Sequence, residues 1–396
     1  MGRPSAVLVS TVAAIALAWA LTPATPKAGS AAAATVTVRN TLDIARSAET
    51  VTLRASDLKA ATGADDLSRI HVHPDATKQE VVSQAVDLDD NGTFDELVFQ
   101  ADFEAGARKT FTLSVGERVA HSRDQFRVYG RFVRERRDDF AWENDRVAHR
   151  MYGAALETYA REPLTSSGVD VWAKRTPRLV INDWYMVDDY HRDNGDGADF
   201  YSVGRTRGCG GNAPWIDGKM FPSGNFRGSR VIANGPIRLV FELTYEPWDA
   251  GGVRISEVKR ITLDAGQHFN RFESTYTVSA APPALQHAAG IRRNPASEPA
   301  RSADNAVLRT WEAYKGNGSL GCAVLMDPAA VVAAPDTETE YLVVARVPEK
   351  GPAVYYVGSA WDKAGTITSA ASWDRYVADV ARRVRTPLEV TIGPGQ

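Results

Sequence analysis

The chain has 396 residues, a formal net charge of −3, 24% charged residues and two cysteines. Charges of both signs are interspersed, and no clustered basic face marks a nucleic-acid binder. No Cys-x-x-Cys or His-x-x-x-His spacing supports a zinc site.

Met1, Gly2 and Arg3 precede an unbroken small-and-apolar run over 6–21, then Pro23, Pro26 and the alanine-rich stretch 28–34. The run is short for a membrane span, which takes about 20 apolar residues, and the A-x-A pattern after it suits signal peptidase. Residues 1–34 therefore read as an export signal, and the mature chain as a secreted, extracellular protein with no membrane attachment. About 360 residues remain, enough for one large β domain or two smaller ones. Export would allow Cys209 and Cys322 to form a disulfide; pairing needs a Cα approach that sequence does not report.

Period-two alternation dominates the chain beyond residue 34. Segments 35–39, 51–54, 96–100 and 109–115 alternate apolar with polar residues between turn-rich stretches, so 35–120 reads as an N-terminal β region. Within it, Asp87-Leu88-Asp89-Asp90-Asn91-Gly92-Thr93-Phe94-Asp95 follows D-x-D-x-N-G. Val98 occupies the twelfth position and strands flank the loop, which excludes an EF-hand. Asp87, Asp89, Asn91 and Asp95 are candidate ligands of a structural calcium, the alternative being a hairpin with an acidic tip. No other cofactor is called for.

Residues 121–396 read as a large antiparallel sandwich. Strands are expected at 237–245, where every second residue is apolar, at 253–263 and 269–278, and later at 341–347, 353–357 and 388–392. Only 372–384 reads as a helix. Between 138 and 226 the alternation weakens while Trp, Tyr, Asp, Arg and Gly crowd together, as binding loops on a β scaffold do.

Three clusters there carry candidate chemistry. In 138–146, strand geometry would put Trp142, Asn144 and Arg146 on one face and Glu143 and Asp145 on the other, offering an aromatic plate and charged forks to a sugar. In 171–175, Trp172 and Lys174 would share a face, and the neighbouring Arg175 has a fork that matches a uronate carboxylate. The third runs through Trp184, Tyr185, Asp188, Asp189, Tyr190, His191, Asp193, Asp196 and Asp199 to Arg205, Arg207, Cys209 and Trp215. His191 is a candidate base and Tyr190 a candidate acid for β-elimination at a uronate. Hydrolysis would instead use two carboxyl groups, Glu143 with Asp193 or Asp199. The three-residue spacing of Asp193, Asp196 and Asp199 also fits a calcium loop. The glycines around Cys209 indicate positive φ or close backbone approach, and Cys209 a structural or half-disulfide thiol.

The strings 140–146 (FAWENDR), 168–175 (GVDVWAKR), 190–193 (YHRD) and 207–211 (RGCGG) together resemble a secreted bacterial family catalogued as a domain of unknown function, over about 36–392. The resemblance implies a galactose-mutarotase-like supersandwich, all-β, associated with polysaccharide degradation, often of pectin or other uronate polymers. The leading expectation is thus an extracellular carbohydrate-active enzyme, a polysaccharide lyase or glycoside hydrolase acting on a uronate-containing glycan. The alternatives are a non-catalytic glycan-binding protein using Trp142, Trp172, Trp184 and Trp215 as platforms, and a sugar epimerase.

Overall fold

A computed structural model describes Gly2 and residues 34–394, without 162, 188–189 and 280–284. The residues read as an export signal therefore lie outside the described residues, apart from Gly2 and Ala34, and Ala34 opens the first strand. Among the described residues no helix is long and apolar enough to cross a membrane.

The protein is an all-β sandwich protein. In the N-terminal region, Ala34–Arg39, Arg108–Val115 and Ile70–Pro74 form one sheet, and Arg46–Arg54, Glu96–Phe103 and Ser83–Val86 a second. Alternation decides the faces: Val36, Val38, Val51, Leu53, Phe99, Phe111 and Leu113 all turn into a shared core. The fourth strand of the first sheet is Glu389–Pro394, which pairs antiparallel with Ala34–Arg39. The expected 388–392 strand thus belongs to the N-terminal body and not to the large sandwich, a partner choice that strand pattern does not encode.

In the large body an eight-stranded sheet, Gly228–Asn234, Arg238–Asp249, Arg254–Asp264, Phe269–Val278, Ala353–Trp361, Gly318–Leu325, Val307–Tyr314 and Ser297–Arg301 in spatial order, faces two five-stranded sheets. One of these centres on Cys209–Ile216, Gln286–Arg292 and Glu340–Arg346. The other runs Gly197–Ala198, Asp170–Lys174, Ala148–Met151, Asp139–Asn144 and Val128–Val133. Leu239, Phe241, Leu243, Ile261, Leu263, Phe140 and Trp142 meet in the common core. Cys209 and Cys322 are bonded across it with Cα atoms 5.5 Å apart, closing the question left open by sequence. Gly208 and Gly210 beside Cys209 have φ of 60° and 102°, conformations that favour glycine.

The expected helix is present as Ala370–Arg385, capped by Ser369 and packing Trp373, Val377, Val380 and Ala381 against Phe269, Ala323 and Leu325. Two short helices, Ala55–Thr62 and Ile181–Met186, were not expected. The two bodies are tied by Arg238, which binds Glu96 at 2.6 Å and Asp264 at 2.8 Å, and by Gln84 on the Ile237 and Arg238 backbone.

Candidate functional site

The five-stranded sheet ending at Val128–Val133 buries both faces. One face joins the common core. On the other, register brings Ala141 opposite Arg150 and Arg150 opposite Asp170, so Asp139, Glu143, Arg150, Asp170, Trp172 and Lys174 share a side. Residues 176–187 and 190–200 fold back over this side through the helix Ile181–Met186. Gly197 makes the return possible: φ is 131°, and a Cβ there would stand 1.9 Å from the Ala173 carbonyl oxygen. Its backbone approach delivers Asp199 to Arg150.

Arg150 is the centre of the arrangement. Its Nε donates to Asp170 at 2.8 Å, its Nη2 to Asp199 at 2.8 Å and its Nη1 to Asp139 at 3.4 Å. Tyr152 donates its hydroxyl proton to Asp170 at 2.7 Å, and Arg136 reaches the Tyr190 hydroxyl. Three buried carboxyls thus share one buried guanidinium. Burial outweighs the attraction of Arg150, pushing Asp139 up to about 7 and Asp199 up to about 8. Protons are exchangeable near neutrality, as acid–base centres require. Above the centre, Trp172 stacks on Tyr190 at 5.1 Å and packs against Trp184 and Tyr185, both at 4.9 Å. Asp139 Oδ1, the Trp172 and Trp184 indole nitrogens and the Tyr185 hydroxyl are buried there without a hydrogen bond.

Asp199 links this interior to an open rim. Its carbonyl oxygen accepts from His191 Nδ1 at 2.8 Å. A carbonyl only accepts, so Nδ1 carries the proton and Nε2 is the basic nitrogen. Of the seven histidines only His191 is exposed. Phe200, the next residue, meets Tyr314 at 5.0 Å and Trp361 at 5.7 Å. Arg175 lies 5.7 Å over Trp361 while its Nη2 binds Asp193 at 2.9 Å and its Nε the Gly195 carbonyl. Arg292 donates to Glu312 at 2.6 Å and to the Tyr314 hydroxyl at 3.0 Å. The 190–200 segment therefore carries the exposed His191 and, through Asp193, holds the Arg175 guanidinium over the buried Trp361, with Phe200 and Tyr314 half-buried against the core.

Residues 38–390 match the family model described as Domain of unknown function (DUF4861). The chain belongs to the DUF4861 family. It is 34% identical over 380 residues to "Uncharacterized protein P7" of Formosa agariphila, covering 90% of this chain and 93% of that one. Among solved structures it is similar to a glycosyl hydrolase family 38 protein from Enterococcus faecalis, with a TM-score of 0.54, 10% identity, and coverage of 91% of this chain and 47% of that one. An alpha-mannosidase of Enterococcus faecalis V583 matches with a TM-score of 0.50 at 10% identity, covering 92% of this chain and 46% of that one. The DUF4861 chain spans about half the length of these solved structures, and at such identity the likeness is one of fold.

Several residues expected in the site lie elsewhere in this DUF4861 chain. Trp142 is a core residue whose indole donates to Asn270 at 2.8 Å, so it is no sugar platform. Glu143 and Lys174 form a buried ion pair at 2.6 Å, with Glu143 also accepting from the Ile181 N–H. Arg207 is buried against Ser167 and Glu340 inside the sandwich. Arg146 is exposed beyond the end of its strand, next to Asp145, and does not share the Trp142 face. Trp215 is half-buried at the far end of Cys209–Ile216, opposite Gln286. Arg205 is exposed, and Trp172 is sealed under Tyr190. Asp193, Asp196 and Asp199 do not converge on a cation, because each serves a different arginine: Arg175, Arg178 and Arg150. Asp188 and Asp189 lie outside the described residues.

The structure joins His191, Tyr190, Asp193, Asp199 and Arg175 and adds Asp139, Arg150, Asp170, Phe200, Tyr314 and Trp361. In the N-terminal body, carboxylate oxygens of Asp87, Asp89 and Asp95 lie within 4.8 Å of one another. The Asn91 amide oxygen accepts from the Thr93 N–H at 2.8 Å. The loop also satisfies itself, since Asp87 accepts from the Asp90 and Gly92 backbone.

Proposed function

We propose that this chain is an exported carbohydrate-active enzyme that cleaves a uronate-containing glycan by β-elimination at the rim around His191. The observation that carries the reading is the fixed tautomer of the exposed His191, with Nε2 basic, in the same segment whose Asp193 holds Arg175. Arg175 uses Nη2 and Nε within the protein, which leaves Nη1 to meet the substrate carboxylate. Pairing with that carboxylate acidifies the sugar C5 proton. His191 Nε2 takes this proton as the C4–O bond breaks and the C4=C5 double bond forms, and the imidazolium returns the proton to the leaving oxygen. Tyr190 supports rather than donates, because its hydroxyl is turned to Arg136. β-Elimination is favoured over hydrolysis by the fate of the expected carboxyl pair, since Glu143 is consumed by Lys174.

Incubating the mature protein with pectic and other uronate polysaccharides tests the reading. Products carrying the absorbance of an unsaturated uronate are expected, each lighter by one water than its hydrolytic counterpart. His191→Ala is expected to lose roughly 10²- to 10⁴-fold in rate. Reducing ends without that absorbance would replace elimination by hydrolysis. Glycan binding without any product would leave a binding protein. Export is checked by N-terminal sequencing of the protein recovered from the culture medium.

A further inference from the structure

The strand Ala353–Trp361 carries the His191 rim at its Trp361 end. At its Ala353 end, roughly 26 Å away by strand rise, a second cleft of about 530 Å³ opens into the end of the sandwich. Its walls combine aliphatic Met326, Ala345 and Val347 with charged Asp327, Arg346 and Glu349, and His287 is part of its lining. His287 is 2% exposed, and its Nδ1 is buried with no hydrogen-bond partner.

The polar groups behind His287 are knit together without it. Tyr355 stands 5.8 Å from the His287 ring and donates to Asn212 Oδ1 at 3.0 Å. The Asn212 amide nitrogen lies 3.1 Å from Glu257, 2.9 Å from Ser274 and 2.6 Å from Tyr276. Lys259 is neutralised by Glu257 at 3.2 Å. This network is balanced in charge and leaves the imidazole unsatisfied, a costly arrangement for a buried polar atom.

We infer that this cleft is a second ligand site, which takes a neutral sugar of mono- or disaccharide size through a hydroxyl hydrogen-bonded to His287. A neutral imidazole presents one donor and one acceptor nitrogen on opposite edges, and a hydroxyl can answer whichever of the two it meets. Burial, with Lys259 nearby, holds His287 down at about 4, so the ring is neutral at physiological pH. The aliphatic part of the wall suits the C–H faces of a pyranose and the charged part its hydroxyls, while Asp327 and Glu349 against the single Arg346 give the lining a negative balance that disfavours an anion. The site stands independently of the β-elimination reading, because it shares no residue with the His191 rim.

Calorimetric titration of the whole mature chain with D-glucose, D-galactose, D-mannose, lactose and D-glucuronate tests it, with the His287 imidazole followed by NMR. At least one neutral sugar is expected to bind and to shift the His287 nitrogens. His287→Phe is expected to weaken that binding at least tenfold. Ala329→Trp, at an exposed position of the cleft lining, is expected to do the same without touching the interior. Failure of every neutral sugar to bind, equal binding in the parent and Ala329→Trp, or tighter binding of glucuronate would each overturn the inference.

Discussion

Two ionic groups share one face of the same sheet, and they are built on opposite principles. Glu143 and Lys174 form a one-to-one pair, completed by the Ile181 N–H and the Asn144 carbonyl. Arg150 faces three carboxyls, of which Asp139 keeps an oxygen unpaired. The first arrangement closes its own electrostatics and has nothing left to exchange. The second is short of positive charge, so protons must make up the balance. Equal burial therefore gives a fastener in one case and a titrating centre in the other.

The sharpest way to break this comparison is to remove each cation. Arg150→Met would leave three buried carboxyls without their common partner and should cost at least the ~3–5 kcal/mol typical of breaking a buried pair, enough to abolish soluble expression. Lys174→Met should cost about 3–5 kcal/mol alone. In the double variant Lys174→Met with Glu143→Gln, the amide still accepts from Ile181 N–H, and most of that loss should be recovered. Denaturant unfolding of the three variants measures the difference. If Asp139→Asn with Asp199→Asn rescued Arg150→Met as fully as the Glu143 change rescues Lys174→Met, the two groups would be alike.

A smaller effect separates them by pH. Asp139 and Asp199 hold protons when folded up to about 7 and about 8, whereas unfolded they release them near the ordinary 3.8. The folded state binds more protons across that window, so stability falls as pH rises from about 4 to 8. His149, lowered to about 3, and His268 and His287, lowered to about 4, act in the opposite sense. Their unfolded forms take up protons below about 6.5, so stability is lost as pH falls below that value. Three histidines outweigh two carboxyls on the acid side, and the carboxyls act alone on the alkaline side. These five groups place the stability maximum near pH 6.5 by that balance. Unfolding free energies between about pH 6.5 and 8.5 should show the decline, and Asp139→Asn should roughly halve it. An unchanged decline in Asp139→Asn would place the titrating protons elsewhere.

The contrast also explains what sequence could show. Alternation at 237–245 correctly places Leu239, Phe241, Leu243 and Tyr245 on one buried face, and it pairs Trp172 with Lys174 on a common side. It does not tell which side of a strand is covered. Trp142 among acidic residues has the look of a sugar platform, yet its period-two position turns it into the core while Glu143 faces the opposite way. Arg150 escapes notice in the sequence because Ala148–Met151 is a four-residue strand that lacks alternation by type. Its partners Asp139, Asp170 and Asp199 lie 11, 20 and 49 residues away in the chain. The usable signal is the recurrence of charged residues at same-face positions in neighbouring short strands, which becomes visible only once register is known.

The smallest expected effect lies outside the buried face, at Arg175 and Asp193. Their side chains are 32% and 16% exposed, and water competes for the pair, so its loss should cost no more than about 1 kcal/mol. Stability and function should therefore separate there in a way they cannot at Lys174. In Arg175→Ala the unfolding midpoint is expected to move little while the proposed uronate cleavage weakens, chiefly through KM, since the proposal gives the guanidinium the substrate carboxylate to hold. Arg175→Lys should restore charge but not the fork, recovering only part of the loss. A variant that lost stability as heavily as Lys174→Met would make Arg175 another fastener of the fold. One that kept full activity on a uronate polymer would move carboxylate recognition away from Arg175.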